Sequence, residues 1–476
     1  MYRAATVFTH RSGARFPDGN ARYSLILLCS QWVAGLLTLS ASLLLRNPLL
    51  LPWRETMMVL VFVLPCISLT RMLLRRQPPR GSHARALLLL WIVSLIIAMS
   101  QQGEFLWHRY RVQHSDDPLA RQLGEHLVIG YSDANEVRRL AERGLIGGVF
   151  IGANNVRKRS TSAIREEITS FQEVRKAAGL PPLIVATDQE GGIVSRVSPP
   201  LPQMPSLADV IATARPDEIE ALAFAYGKTQ GHDLAALGVN VNFAPLADLS
   251  SPDRRQHFDF RSQIGQRAIA SDPVSVIPAV VGYAHGLESA GVHATLKHFP
   301  GLGRVKADTH LFPAVLATEA DELESSDWLP FRHGLRNTRS LLMVGHATLS
   351  AVDDEKPASL SRKVIYNIIR RRWGHEGVLI TDDLSMGAVV RHGLCAAGTD
   401  AINAGVDLLL VSYDTEQYYT MLHCLLRAAE SGVLDTESLA NSRKRLSELL
   451  QDWRGLPRKP RISAPRSHAQ ANDWQS

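Results

Sequence analysis

The sequence predicts an α/β chain: a (β/α)8 TIM-type barrel preceded by about three transmembrane helices. Three observations predict it. The first 111 residues hold long charge-free apolar runs together with a large excess of arginine. From about residue 118, short β-branched or apolar runs alternate with longer amphipathic stretches. Polar side chains then gather at the C-terminal ends of those runs. The division that follows is a membrane segment over 1–111, a barrel over 112–455 and a disordered tail over 456–476. A doubly wound open sheet is the second-ranked fold.

The apolar runs come first. "YSLILLCSQWVAGLLTLSASLLL" (23–45) carries no charge and is long enough to cross a hydrocarbon core of about 30 Å. "TMMVLVFVLPCISLT" (56–70) and "ALLLLWIVSLIIAMS" (86–100) reach that length with flanking residues, giving helices over about 23–45, 53–72 and 84–102. Residues 1–111 contain thirteen arginines against Asp18, Glu55 and Glu104, a balance of ten positive charges in a chain whose formal net charge is +6. The basicity thus belongs to one region, and it argues for membrane topology over nucleic-acid binding. Arg3, Arg11, Arg15 and Arg22 precede the first helix, and Arg71, Arg75, Arg76, Arg80 and Arg85 lie between the second and third. Three crossings place both groups on one side, which the positive-inside rule assigns to the cytoplasm. The expected location is the bacterial inner membrane, with the barrel on the periplasmic or extracytoplasmic side. The alternative, a cleaved signal peptide and a buried helical pair, lacks a small-residue cleavage site after the first run.

Eight runs then follow: 126–131, 147–152, 182–188, 239–245, 294–300, 340–347, 377–383 and 407–412. Asp188, Asn242, Lys297, His298, His346, Asp382 and Asp383 cluster at or near their C-terminal ends. In a parallel barrel those ends open onto one face, where active sites lie, so the asymmetry points to an enzyme. The stretch "TLKHFPGLGRVKADTHL" (295–311) is unusual for a structural segment. A strand ends in Lys297-His298 and feeds a glycine-containing loop with Asp308 and His310 two residues apart.

Several motifs together resemble glycoside hydrolase family 3, specifically its single-domain β-N-acetylglucosaminidase type. They are "TDQEGGIVSRV" (187–197), "VNFAPLADL" (241–249), "IGQRAI" (264–269), "KHFPGLGRVKADTH" (297–310) and "GVLITDDLSMGAV" (377–389). The similarity spans about 118–450. It implies a retaining exo-β-N-acetylglucosaminidase (β-hexosaminidase) acting on terminal N-acetylglucosamine of peptidoglycan fragments or related glycans. Asp382 matches the nucleophile that forms the glycosyl-enzyme. Asp308 and His310 match an Asp-His dyad in which the imidazole is the general acid/base and the carboxylate orients it. Asp188, Arg196, Arg267, Lys297 and His298 match sugar-binding positions. The sequence departs from the family at Leu302, where relatives often carry histidine.

Blander readings accompany these. "DQEGG" reads as a tight turn in which Glu190 has no chemistry, Asp383 as a helix cap and His346 as pocket lining or packing. The lesser alternative for Arg267 is pairing with a carboxylate on the barrel rim, and "VNFAPLADL" is given no direct chemistry. No cofactor or metal is expected, and "GLGRVKAD" lacks the third glycine of a dinucleotide fingerprint. The expected partners are a carbohydrate substrate and the membrane, without nucleic acid. Oligomeric state is not legible, nor is the pairing of Cys395 with Cys424, and Cys29 and Cys66 lie in apolar runs. A β-glucosidase or glycoside phosphorylase on the same barrel, or a catalytically silent glycan-binding protein, are the alternative functions.

Overall fold

A computed structural model describes residues 19–74, 82–251 and 260–452. The chain divides into two compact units, Met1–Glu104 and Phe105–Ser476. Arg3, Arg11, Arg15, Arg75, Arg76 and Arg80, which enter the orientation argument, and the tail 456–476 lie outside the described residues.

In the first unit α1 (Gly19–Leu43) and α2 (Arg54–Leu73) are joined by a 3-10 turn, Pro48–Trp53, whose start is capped by the Asn47 side chain on Leu49 N–H at 3.0 Å. The third helix, α3, runs Ser82–Gln113. Three stretches are long and apolar enough to cross a membrane: Ile26–Leu43, Pro48–Arg71 and Ser82–Gln113, of 18, 24 and 32 residues. Leu27, Leu37, Val59, Leu89 and Ile96 are exposed, and Thr38 and Ser94 return their hydroxyls to carbonyls four residues back. α3 continues past the expected end near residue 102. The residues from Phe105 belong to the second unit, where Arg109 pairs with Glu136 at 2.7 Å and Gln113 donates to the Tyr419 hydroxyl at 3.0 Å. Those tertiary contacts keep the last turns helical after the apolar run has ended.

The second unit is built on eight parallel strands, and each expected run overlaps one. They are β1 (Leu127–Ile129), β2 (Gly148–Phe150), β3 (Ile184–Thr187) and β4 (Val241–Asn242), followed by β5 (His293–Phe299), β6 (Leu341–Val344), β7 (Leu379–Thr381) and β8 (Leu409–Val411). Neighbours run in the order β7-β6-β5-β4-β3-β2-β1-β8. The end strands meet through a parallel bridge, Ile380 to Leu408, so the sheet is a nearly closed barrel. Helices separate the strands: α4 (Ala134–Glu142), α5 (Thr161–Ala177), α6 (Ile219–Leu237), α7 (Pro273–Ser289) and α8 (Leu329–Asn337). A π-helical segment, Lys363–Arg372, follows β6, α9 (Leu394–Ala404) follows β7, and α10 (Gln417–Glu430) and α11 (Thr436–Asp452) follow β8.

Strand alternation divides the core in two. Val128, Ile184, Ala186, Val241, Leu341, Met343, Ile380 and Leu410 form one apolar cluster, joined by Leu446 and Leu449 of α11. Leu127, Ile129, Val149, Val185, Leu342, Val344 and Leu409 join the larger cluster with the surrounding helices. Where α6 crosses α7 the backbones touch. A Cβ on Gly286 would stand 2.3 Å from Phe224 O, so only glycine permits that approach. Ahead of β8, buried Asp407 pairs with Arg370 at 2.6 Å and Arg445 at 2.8 Å, tying α11 to the sheet. Cys395 and Cys424 form a disulfide between α9 and α10, with a Cα separation of 5.1 Å, while Cys29 and Cys66 are free.

Candidate active site

All eight strands are parallel, so their C-terminal ends share one rim. Asp188 follows β3, Lys297 and His298 lie near the end of β5, His346 follows β6, and Asp382 follows β7.

Lys297 is 2% exposed and donates to Asp188 Oδ1 at 2.7 Å and to Glu190 Oε1 at 2.6 Å. Arg267 meets the same Glu190 in a fork, Nε to Oε2 at 3.0 Å and Nη2 to Oε1 at 2.6 Å, and gives a third hydrogen bond to Ser262 O at 2.6 Å. Three of the five N–H groups of the guanidinium are thus engaged. Glu190 is thus the hub of a four-charge cluster. Burial favours its neutral form, but Arg267 and Lys297 outweigh burial and hold its carboxyl at about 2. The sequence predicts only turn backbone at Glu190. It does sit in a tight hairpin, Gln189–Gly191 against Val194–Ser195, and that hairpin aims its carboxylate at both cations. Arg267 thus does pair with a carboxylate on the rim. Arg196 is exposed, and its guanidinium has no hydrogen-bond or ion-pair partner among the described residues.

His298 donates through its backbone N–H to Asp248 Oδ2 at 3.0 Å, and its Nδ1 lies 2.8 Å from the same oxygen. The other oxygen of fully buried Asp248 accepts from Leu302 N–H at 2.7 Å. One carboxylate from "VNFAPLADL", a motif assigned no chemistry from sequence, therefore orients an imidazole and anchors the start of the glycine loop. Leu302 is buried there. Gly303 passes so close to Leu249 that a Cβ would stand 1.8 Å from its carbonyl oxygen.

Further along this loop, Asp308 is buried and held by four donors. Its Oδ1 lies 2.9 Å from His310 N–H, 3.0 Å from His310 Nδ1 and 3.0 Å from Ser262 Oγ. Its Oδ2 accepts from Arg261 N–H at 2.6 Å. Burial raises its pKa, but these donors, the His310 ring first among them, hold the carboxyl well below the usual range. His310 is about one-third exposed.

The loop after β7 meets this one. Gly387 N–H donates to His310 O at 2.9 Å and Ala388 N–H to Thr309 O at 3.1 Å. Asp382, half-buried, accepts from Asp383 N–H at 2.8 Å. Burial works against its ionisation, yet the imidazoles of His298, His346 and His310 and that N–H keep its carboxyl below the ordinary carboxylate value. Asp383 does not cap the next helix, Gly387–Val390, whose N-cap is Met386. It accepts from Ser385 N–H at 2.8 Å, Ser412 N–H at 2.9 Å and Tyr413 N–H at 2.7 Å, stitching the β7 and β8 loops together. His346 is buried between Ser359 Oγ at 2.7 Å and Asp383 O at 3.0 Å, and burial lowers its pKa. Among the described residues no group of three or more His, Cys, Asp or Glu side chains is arranged to hold a metal ion.

The half-buried Asp382 carboxylate and the Asp308–His310 pair thus lie on two hydrogen-bonded loops, the first of them at the C-terminal rim of the parallel strands. Residues 119–449 match the glycosyl hydrolase family 3 N-terminal domain, and the chain belongs to that family. A beta-hexosaminidase of Stenotrophomonas maltophilia (strain R551-3) is 32% identical over 309 residues, covering 64% of this chain and 87% of that protein. The family 3 beta-N-acetylglucosaminidase of Paenibacillus sp. str. FPU-7 superposes with a TM-score of 0.65 at 27% identity, over 74% of this chain and 66% of that one. The beta-N-acetylhexosaminidase of Beutenbergia cavernae DSM 12333 superposes with a TM-score of 0.63 at 26% identity, over 71% of this chain and all (100%) of that one.

Proposed function

We propose that this glycoside hydrolase is a retaining exo-β-N-acetylglucosaminidase on a (β/α)8 barrel. Asp382 attacks the anomeric carbon while His310 Nε2 gives its proton to the departing glycosidic oxygen. Water then enters, His310 takes a proton from it, and the glycosyl–Asp382 ester breaks with overall retention. Asp308 accepts Nδ1–H and steadies the imidazolium. Asp188, Lys297, Arg196, Arg267 and His298 receive the terminal sugar, with carboxylate oxygens accepting from hydroxyls and the cations donating to hydroxyl and N-acetyl oxygens. The observation that carries this reading is the pair of backbone hydrogen bonds from Gly387 and Ala388 to His310 and Thr309, which fasten the dyad loop to the loop of Asp382. The named activities of the relatives above support the substrate class.

The three long apolar helices anchor the chain in the bacterial inner membrane, and the barrel works on the extracytoplasmic side on N-acetylglucosamine-bearing peptidoglycan fragments. The disulfide between Cys395 and Cys424 supports that side, since such bonds persist in oxidising compartments. The test is hydrolysis of a chromogenic N-acetyl-β-glucosaminide by the detergent-solubilised chain, with the anomer of the first-formed sugar read by NMR. Retention together with loss of turnover in Asp382→Ala is the expected result. Undiminished turnover in that variant removes the nucleophile assignment.

A further inference from the structure

We propose that Ser262 is a positioning residue of the acid/base assembly, a third partner that fixes which nitrogen of His310 carries the transferable proton. The inference rests on the roles proposed above for Asp308 and His310. Ser262 is 3% exposed. Its Oγ stands 3.0 Å from Asp308 Oδ1 and 3.0 Å from His310 Nδ1, so the three polar atoms form a closed triangle. Its hydroxyl has one proton and two lone pairs. The carboxylate has no proton to give, so the hydroxyl donates to Asp308, and its lone pair is left facing Nδ1. His310 Nδ1–H then has two acceptors, Asp308 Oδ1 and Ser262 Oγ. A bare Nδ1 lone pair against the Asp308 carboxylate would be repulsive. The neutral ring therefore keeps its proton on Nδ1, and Nε2 is the atom that gains and loses the catalytic one.

The serine is itself held. Arg261 N–H donates to Asp308 Oδ2 at 2.6 Å, so consecutive residues grip both carboxylate oxygens. Ser262 O accepts from Arg267 at 2.6 Å, and Arg267 is forked onto Glu190. The position of the dyad is thereby referred back to the cluster that contains Asp188 and Lys297.

The test compares the full chain with Ser262→Ala and Ser262→Thr on aryl N-acetyl-β-glucosaminides running from dinitrophenyl, which leaves without protonation, to phenyl, which needs it. The expected loss for Ser262→Ala is roughly tenfold in kcat/KM on the phenyl substrate, a fraction of the 10²–10⁴ typical of general acid catalysis. The dinitrophenyl rate is expected to stay within about twofold of wild type, and Ser262→Thr, which retains the hydroxyl, to recover most of the loss. Equal losses across the series, or no loss anywhere, overturn the proposal. Asp382→Ala assayed alongside separates the two readings. If it keeps wild-type turnover the parent assignment fails, whereas a silent Asp382→Ala beside a wild-type-like Ser262→Ala sinks the serine alone. A measurement that needs no variant is the ¹⁵N spectrum of labelled histidine in the wild-type chain. Neutral His310 is expected to be protonated at Nδ1, and an Nε2–H tautomer overturns the proposal.

Discussion

Glu190→Gln isolates the charge of the buried hub while nearly keeping its shape. In the native cluster Glu190 accepts from two cations that are themselves 2% and 8% exposed. Removing its charge leaves Arg267 without a carboxylate and Lys297 with Asp188 alone. A carboxyl titrating at about 2 in place of 4.5 corresponds to about 3 kcal/mol of stabilisation at neutral pH. That agrees with the roughly 3–5 kcal/mol lost when one partner of a buried pair is removed. The sign follows from the depressed pKa. The contribution is complete above the unfolded-state value of 4.5 and disappears as pH falls toward 2. The assay is chemical denaturation of wild type and Glu190→Gln at a series of pH values from 7 down to about 3. A stability gap of about 3 kcal/mol at pH 7 that narrows steadily below pH 4.5 is expected. A gap near zero at pH 7, or one that stays constant down to pH 3, would refute the charge argument.

The remaining predictions concern catalysis and the frame. Asp382→Ala should cut kcat/KM by at least about 10³-fold with an unchanged circular dichroism spectrum, measured on a chromogenic N-acetyl-β-glucosaminide. Because the Asp382 carboxyl is held below its ordinary value, the acid limb of the kcat/KM profile should lie below the ordinary carboxylate range, and a limb tied to Asp382 above that range contradicts this. Gly303→Ala pushes a methyl onto the Leu249 carbonyl and should cost about 1–3 kcal/mol in a denaturation experiment, with slower turnover because the loop carries the dyad. Replacing Cys395 and Cys424 together by serine opens a cross-link across 29 residues and should cost about 3–4 kcal/mol by chain entropy. The denaturation midpoint of that variant should be indifferent to reductant, unlike wild type.

The parts of this molecule legible in sequence are those set by local pattern. Each of the eight β-branched runs overlaps a strand because apolar period and length are properties of a few adjacent residues. The Asp308–His310 contact was legible for the same reason, since two positions apart on one loop is a local relation. The Glu190 hub was not. Its partners are 77 and 107 positions away, and only the parallel register of β3 and β5 about β4 brings Arg267 and Lys297 to it. Asp248 was hidden in the same way, because its value lies in reaching His298, 50 positions on. A single signal was available in both cases. Each is a carboxylate shortly after a strand run, where an unpaired buried charge would be costly, so a cation or imidazole is to be sought elsewhere on the rim. The last turns of α3 were missed because hydropathy ends where tertiary packing takes over.

The charge arrangement bears on why Asp382, among several carboxylates, suits the role proposed for it. Asp188 and Glu190 are balanced by Lys297 and Arg267, Asp248 is committed to His298 and Leu302, and Asp308 to His310, Ser262 and Arg261. Among the described residues Asp382 has no lysine or arginine within ion-pair distance, and the one hydrogen bond to its carboxylate comes from the adjacent backbone. Its charge is stabilised at a distance by three imidazoles. A carboxylate clamped by a guanidinium is a poor nucleophile, because attack must first break the pair. One kept ionised by imidazoles, with its oxygens free of cations, retains both its negative charge and its lone pairs. On the proposed assignment, that charge faces the positive charge that grows at the anomeric carbon as the bond to the leaving group breaks. Installing a lysine beside Asp382 would test this. Its pKa would fall further while turnover slowed, which separates ionisation, already complete at neutral pH, from availability.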